Sequence, residues 1–278
     1  VTRSAVALAV LFSAYGVNQV INDYMGRAED SINAPNRPMV TGELPVPFAL
    51  VTSAVLLFAG AVATLFLSKW ALIPFVAGVV LNLLYERAKG VPVLGNIVFG
   101  LAIASCTAYG YLAMAPPLEI VFTPSRITGL VIVAWMNGLM TFYTYFKDIS
   151  GDSKAGKRTA VVMMGIPRSR ILALTLSLSP SALIALALAF DYFPNEPNST
   201  FLFIFAVNTL VSLWTGISFF LYPTGPRTYK ALVYNVRACV GGQITLIALF
   251  NPELALYLYI AAFVFVGMLF DMHGDHKA

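Results

Sequence analysis

Two short stretches hold side chains whose types and spacing suit metal and phosphate chemistry. The first reads N22-D-Y-M-G-R-A-E-D30 and runs on through S-I-N-A-P-N-R-P-M-V-T to Gly42. The second reads Y145-F-K-D-I-S-G-D-S-K-A-G-K-R-T159. Positions i and i+4 share one helical face. Asp148 and Asp152 therefore point at one ion, and Asn22, Gly26 and Asp30 form a second stripe with one residue per turn. Oxygen ligands of this kind suit Mg2+, which commonly bridges protein carboxylates to substrate phosphates. Arg37, Lys89, Lys147, Lys154, Lys157 and Arg158 supply cations nearby. A metal on one edge and direct ammonium or guanidinium contacts on another are what a diphosphate requires. Any one of these charges alone reads as a solvated helix end or an orientation signal. Two acidic i,i+4 sets with basic company read better as a site.

The elements that position these residues are membrane spans. The 278-residue chain is 59% hydrophobic and 11% charged, whereas soluble domains carry roughly 25% charged residues. A spanning helix needs about 20 mostly apolar residues. Nine runs qualify: 4–26, 44–68, 69–86, 92–115, 124–147, 168–191, 198–222, 228–249 and 252–270. They are too long for strands and lack period-two alternation. The expected fold class is therefore all-α, a multi-spanning bundle of about nine helices around a central cavity open to the membrane. Pro45, Pro92, Pro116-Pro117, Pro194 and Pro223 punctuate the gaps. With no linker or repeat, residues 1–278 are expected to form a single membrane domain.

Charge sidedness supports the span count. The loops after spans 1, 3, 5 and 7, with the tail, hold Arg27, Arg37, Arg87, Lys89, Lys147, Lys154, Lys157, Arg158, Arg168, Arg170, Arg227, Lys230 and Lys277. The opposite side holds Arg3, Lys69 and Arg126, and Arg237 falls inside span 8. This asymmetry puts the acidic loops on the cytoplasmic face of a multi-pass cell membrane. The net charge of +4 is thus explained by loops in contact with a lipid bilayer, and no nucleic acid partner is expected. No obligate protein partner is implied. Cys106 and Cys239 lie in apolar runs and read as reduced packing residues. The first run leads directly into the polar motif, so it does not read as a cleaved signal peptide.

The motifs resemble those of the UbiA superfamily of intramembrane prenyltransferases. That family carries NDxxDxxxD, then a basic R-P segment, then DxxxD in a K-D-x-x-x-D-x-x-x-G-x-x-T setting. This chain matches with N22-D23, D30, N33-x-P35-x-R37-P38 and G42, and with K147-D148, D152, K154, G156, R158 and T159. L84-Y85-E-R-A-K89 followed by L94-G95-N96 resembles a further loop of the family. The resemblance implies Mg2+ ions held by Asn22, Asp23, Asp30, Asp148 and Asp152. It implies an isoprenyl diphosphate substrate and ionisation to an allylic carbocation, with Asn22, Asp30, Asp148 and Asp152 essential to the reaction. Arg37, Lys89, Lys147, Lys154 and Arg158 would face the diphosphate, and Asn82, Tyr85, Asn96, Asn137 and Tyr143 would contact the substrate. The family's first motif usually ends its second span, whereas here it ends the first. Either a leading helix lies outside this sequence or the helix count is rearranged.

Gly26 stands where the family usually has aspartate. Glycine costs about 1 kcal/mol in a helix interior, so it is not a neutral default. Tight packing or a helix end would explain it. N22-x-x-x-G26-x-x-E29-D30 also resembles the terpene cyclase branch of the family, which ionises the same diphosphate without an external acceptor. On that ground the expected activity is Mg2+-dependent cyclisation of an isoprenyl diphosphate, with a farnesyl chain expected. The alternative is transfer of the prenyl chain to an aromatic or polar-lipid acceptor. Cyclisation needs a dry cavity lined by aromatic faces, for which Tyr85, Trp135, Phe142, Tyr143, Phe146 and Tyr234 are candidates. Asn82, Asn137, Asn208, Asn235, Arg237 and Gln243 are polar groups inside spans; Arg237, near the basic end of span 8, reads either as snorkelling or as orienting the diphosphate or accepting the final proton through a water. A transporter would place charge deep in the bundle or break helices at the midplane, whereas these carboxylates cluster at one face.

Overall fold

The computed structural model describes residues 2–116 and 122–274, without the side chains of residues 29, 33 and 273. Expectations for the Glu29 and Asn33 side chains, Pro117 and Lys277 lie outside the described residues. All regular structure among the described residues is helical. The order is α1 (Thr2–Met25), α2 (Arg27–Asn33), α3 (Pro38–Thr41), α4 (Val46–Leu67), α5 (Leu72–Ala88) and α6 (Leu94–Ala113). Then follow α7 (Pro124–Lys154), α8 (Ala160–Leu176), α9 (Ser179–Ala189), α10 (Ser199–Leu221), α11 (Pro226–Ala248) and α12 (Pro252–Gly274). Nine segments of the described chain are long and apolar enough to span a bilayer, with α8 and α9 counted together. Large side chains such as Phe12, Phe58 and Phe66 point outward, as helices facing lipid require.

Local chemistry sets many helix starts. Proline, which has no amide proton to leave unpaired, occupies the first turn of α3, α4, α7 and α11. Thr123 caps α7 by accepting from the Arg126 amide, and the Asn198 side chain caps α10 by accepting from the Phe201 amide at 2.8 Å.

The chain divides into two compact units. One comprises residues 1–126 and 148–163, the other residues 127–147 and 164–278. In the first unit α1 packs on α4 and α5, and α5 packs on α6. Ala7 and Val10 of α1 meet Leu67, Ala71, Tyr109, Leu112 and Ala113 in one core cluster, where the Tyr109 and Thr64 hydroxyls lie 3.1 Å apart. In the second unit α11 packs against α10 and α12. Its core holds Phe142, Tyr143, Phe146 and Phe219, with neighbouring ring centroids 4.8–5.8 Å apart.

Two expected boundaries are corrected. The fifth span does not end at residue 147: α7 continues to Lys154, so the second acidic motif is helical and keeps its i,i+4 register. The sixth span starts at Ala160 rather than 168 and bends at Gly165, which has φ 72° and ψ 161°. Only glycine adopts that backbone conformation without strain. Gly165→Ala should destabilise the fold by about 1–3 kcal/mol, read as a lower Tm in detergent. An unchanged Tm would remove this account of the bend.

Candidate active site

The first motif straddles a helix break. α1 ends at Met25 and α2 begins at Arg27, with buried Gly26 between them at φ −88° and ψ 7°. Hydrogen bonds nonetheless run through the break, from the Gly26 amide to the Asn22 carbonyl at 2.8 Å and from the Asp30 amide to the Gly26 carbonyl at 2.9 Å. Asn22, Gly26 and Asp30 therefore keep their common face. Arg37, at the start of α3, spans the motif from outside. One of its guanidinium nitrogens donates to Asp23 Oδ1 at 2.5 Å and to Asp30 Oδ2 at 2.6 Å. Burial raises the Asp30 carboxyl above the ordinary carboxylate range; Arg37 opposes that shift, neighbouring Asp23 adds to it, and Lys89 opposes it. Asp30 therefore holds a proton more strongly than a free aspartate does, and a metal ion that takes it competes with that proton as pH falls.

Lys89 ties this motif to the second one. It sits just past the C-terminus of α5, where a cation complements the helix dipole. Its ammonium lies 3.4 Å from Asp152 Oδ1 and acts electrostatically on Asp30. The Asp152 side chain is 0% exposed, with the Lys89 ammonium as its ion-pair partner, and among the described residues its oxygens accept no well-formed hydrogen bond. Asn22 Oδ1 is likewise buried, with no hydrogen-bond partner among the described residues. Asp148 precedes Asp152 by one turn of α7 and is half-buried. A second ion pair joins Lys157 Nζ to Glu86 Oε2 at 2.8 Å.

The predicted residues divide accordingly. The structure brings Asn22, Asp23, Asp30, Arg37, Lys89 and Asp152 into the two linked clusters of the first unit. Tyr85, one turn before Lys89, packs against Phe99 with the rings tilted by 55° and centroids 5.3 Å apart. Asn82 is buried on α5, and Asn96 is half-buried in the first turn of α6. Lys147, Lys154 and Arg158 are exposed, and Arg158 Nε reaches Met163 Sδ at 3.3 Å rather than a carboxylate. Tyr143 and Asn137 belong to the second unit. Tyr143 donates to the Ala173 carbonyl at 2.6 Å, and Asn137 donates to the Val133 carbonyl at 2.8 Å. The residue that sequence reasoning passed over is Glu86. Its signal was available in Y85-E-R-A-K89, because Glu86 and Lys89 are three apart and share a helix face.

Three of the intramembrane polar groups serve as clips between helices, whereas Asn137 and Gln243 bond carbonyls within their own helices. Asn235 donates to the Met140 carbonyl at 2.9 Å, and Asn208 donates to the Ala238 carbonyl at 3.2 Å. Arg237 does not snorkel. Its Nε donates to the Phe263 carbonyl at 3.0 Å and its guanidinium lies 4.0 Å from that ring's centre. In hydrocarbon, a backbone carbonyl and an aromatic face are the available partners for such a charge.

Mg2+ fits this donor set. Among the described residues no three His, Cys, Asp or Glu side chains converge on one point, so there is no dedicated protein cage. Mg2+ does not ask for one: it keeps waters and binds through one or two carboxylates plus substrate phosphates. The buried side-chain oxygens of Asn22 and Asp152 are acceptors of the required type.

Comparison with known proteins identifies the lineage. The profile of the UbiA prenyltransferase family matches residues 2–236. The chain belongs to that family. A digeranylgeranylglyceryl phosphate synthase of Methanothrix thermoacetophila is 31% identical over 170 residues, 59% of this chain and 60% of that protein. The chain thus spans about three-fifths of the length of that curated relative. The fold matches an apo UbiA homologue from Aeropyrum pernix K1 with a TM-score of 0.70 at 16% identity, covering 89% of this chain and 90% of that one. It also matches a UbiA homologue from Archaeoglobus fulgidus bound to DMAPP and Mg2+, with a TM-score of 0.61 at 15% identity and coverage of 90% and 89%. The expected all-helical membrane bundle is therefore the UbiA fold.

Proposed function

We propose that this protein is a Mg2+-dependent prenyltransferase that ionises an isoprenyl diphosphate and passes the prenyl group to a polar-lipid or aromatic acceptor. The observation that carries the reading is the pair of linked clusters: Arg37 on Asp23 and Asp30, and Lys89 between Asp30 and a fully buried Asp152. The UbiA prenyltransferase profile supports transfer, as does a relative named for making digeranylgeranylglyceryl phosphate. The fold neighbour bound to DMAPP and Mg2+ supports the donor and the metal. These findings favour the transferase over the cyclase expected from Gly26, because the family profile is that of a prenyltransferase family and the relative is named a digeranylgeranylglyceryl phosphate synthase.

In this reading Asn22, Asp23, Asp30, Asp148 and Asp152 hold the metal-bound diphosphate. Bound Mg2+ supplies charge neutralisation for the diphosphate as it leaves. Lys89, Arg37 and Lys157 turn from carboxylates toward phosphate oxygens and stabilise the same growing charge. The carboxylates orient the leaving group so that the C–O bond breaks toward them, and the apolar helices keep water from the allylic cation. The acceptor's nucleophilic atom then forms the new bond and loses its proton. The basic residues gathered on the acidic face support a cytoplasmic position for the site.

The test uses purified protein with Mg2+ and geranyl, farnesyl or geranylgeranyl diphosphate. Each is incubated alone, with a prenylated glyceryl phosphate, and with an aromatic acceptor. Turnover only when an acceptor is added is the expected result. A cyclic hydrocarbon or alcohol formed without acceptor would replace transfer by cyclisation and return Gly26 to the role read from sequence.

A further inference from the structure

We propose that Glu86 is the carboxylate that completes the first acidic motif, taking up the place beside Asp30 that the absent side chain of residue 26 leaves open. The assignment rests on the diphosphate reading above and deepens it by one residue.

The argument starts from the space at Gly26. Gly26 is buried at the break between α1 and α2. A Cβ built there would stand 3.7 Å from Glu86 Oε2 and 3.8 Å from Asp30 Oδ2. An aspartate carboxyl lies only one carbon–carbon and one carbon–oxygen bond beyond its Cβ. The Glu86 carboxylate thus approaches, from α5, the volume that a carboxylate on residue 26 would reach from α1. The nearest atom to that Cβ is the Asn22 carbonyl oxygen at 3.0 Å, so the space is tight toward the backbone and lined by carboxylate on the other side.

Charge leads to the same assignment. The Glu86 side chain is 11% exposed, and a carboxylate that deep is retained only with a partner. Its partner is Lys157 at 2.8 Å, a residue of the second motif 71 positions away. Three residues on, Lys89 faces Asp152 and Asp30. The end of α5 therefore presents one anion and one cation to the two motifs. Packing alone would be served by two apolar residues. An anion beside Asp30 with an exchangeable ammonium on it suits a site that opens for a metal-bound diphosphate: Lys157 exchanges Glu86 for phosphate oxygen, and Glu86 is released to the metal side.

Mg2+-dependent binding of an unreactive prenyl thiolodiphosphate, followed by titration calorimetry on the full chain in nanodiscs, tests this without turnover. Glu86→Gln should raise the Mg2+ concentration for half-saturation by about tenfold or more. Lys157→Gln, which keeps the carboxylate, should weaken analogue binding while leaving the Mg2+ requirement near wild type. Adding Gly26→Asp to Glu86→Gln should recover most of the lost Mg2+ affinity. An unchanged Mg2+ requirement in Glu86→Gln overturns the assignment. So does an equal effect of Glu86→Gln and Lys157→Gln, which would make the pair a structural clip between α5 and the segment after α7. Wild-type protein that binds no analogue with Mg2+ overturns the diphosphate reading and the assignment with it, whereas wild-type binding beside an indifferent Glu86→Gln overturns the assignment alone.

Discussion

Asp152→Asn removes diphosphate release, lowering turnover by about 10²- to 10³-fold, while the protein still folds. The asparagine has the same shape, so the end of α7 keeps its packing. What is lost is a negative charge at a 0% exposed position that faces the Lys89 ammonium at 3.4 Å. Asp152 is held by one ammonium, that of Lys89, whereas Asp23 and Asp30 share the Arg37 guanidinium at 2.5 and 2.6 Å. The loss should therefore appear in kcat and in Mg2+ dependence together. Asp152→Asn with wild-type turnover of any prenyl diphosphate would remove the metal-site argument altogether.

Lys89→Met carries the second large effect, and it falls on both stability and activity. Removing the ammonium leaves Asp152 buried and uncompensated, which costs about 3–5 kcal/mol when one partner of a buried pair is deleted. Asp30 also loses a cation that offsets its burial. The expected result is a clearly lower Tm and a loss of turnover comparable to Asp152→Asn. The double variant Lys89→Met with Asp152→Asn should be more stable than Lys89→Met alone, because the stranded charge is gone, yet remain inactive. A double variant no more stable than Lys89→Met would show that the two side chains are not energetically coupled.

The transferase reading changes what Gly26 means. Read on the chain alone, a missing aspartate looked like a lost ligand and pointed to cyclisation. In three dimensions the break between α1 and α2 occurs at that residue, and the Glu86 carboxylate comes within 3.7 Å of where its Cβ would be. If Glu86 takes the proposed place, an absent side chain on one helix is no measure of the charge in the site.

The membrane-bundle class, the nine spans and the two acidic motifs were legible from the amino-acid order because their signals are local. Twenty apolar residues declare a span whatever surrounds them, and i,i+4 spacing fixes a common helix face without any tertiary contact. That is why Asp148 and Asp152, or Asn22 and Asp30, could be paired in advance, and why carrying α7 on to Lys154 preserved the pairing rather than upsetting it. The order of residues could not rank the cations. Lys147, Lys154, Lys157 and Arg158 are equivalent in a string, yet Lys157 is largely buried on Glu86 while the other three are exposed. Nor could it foresee Lys89 meeting Asp152, or the Glu86 carboxylate approaching the face of Gly26. These pairings join residues on different helices, and helix packing sets which ends of α1, α5 and α7 meet. Local periodicity determined which residues share a face; only the tertiary structure decided which faces share a site.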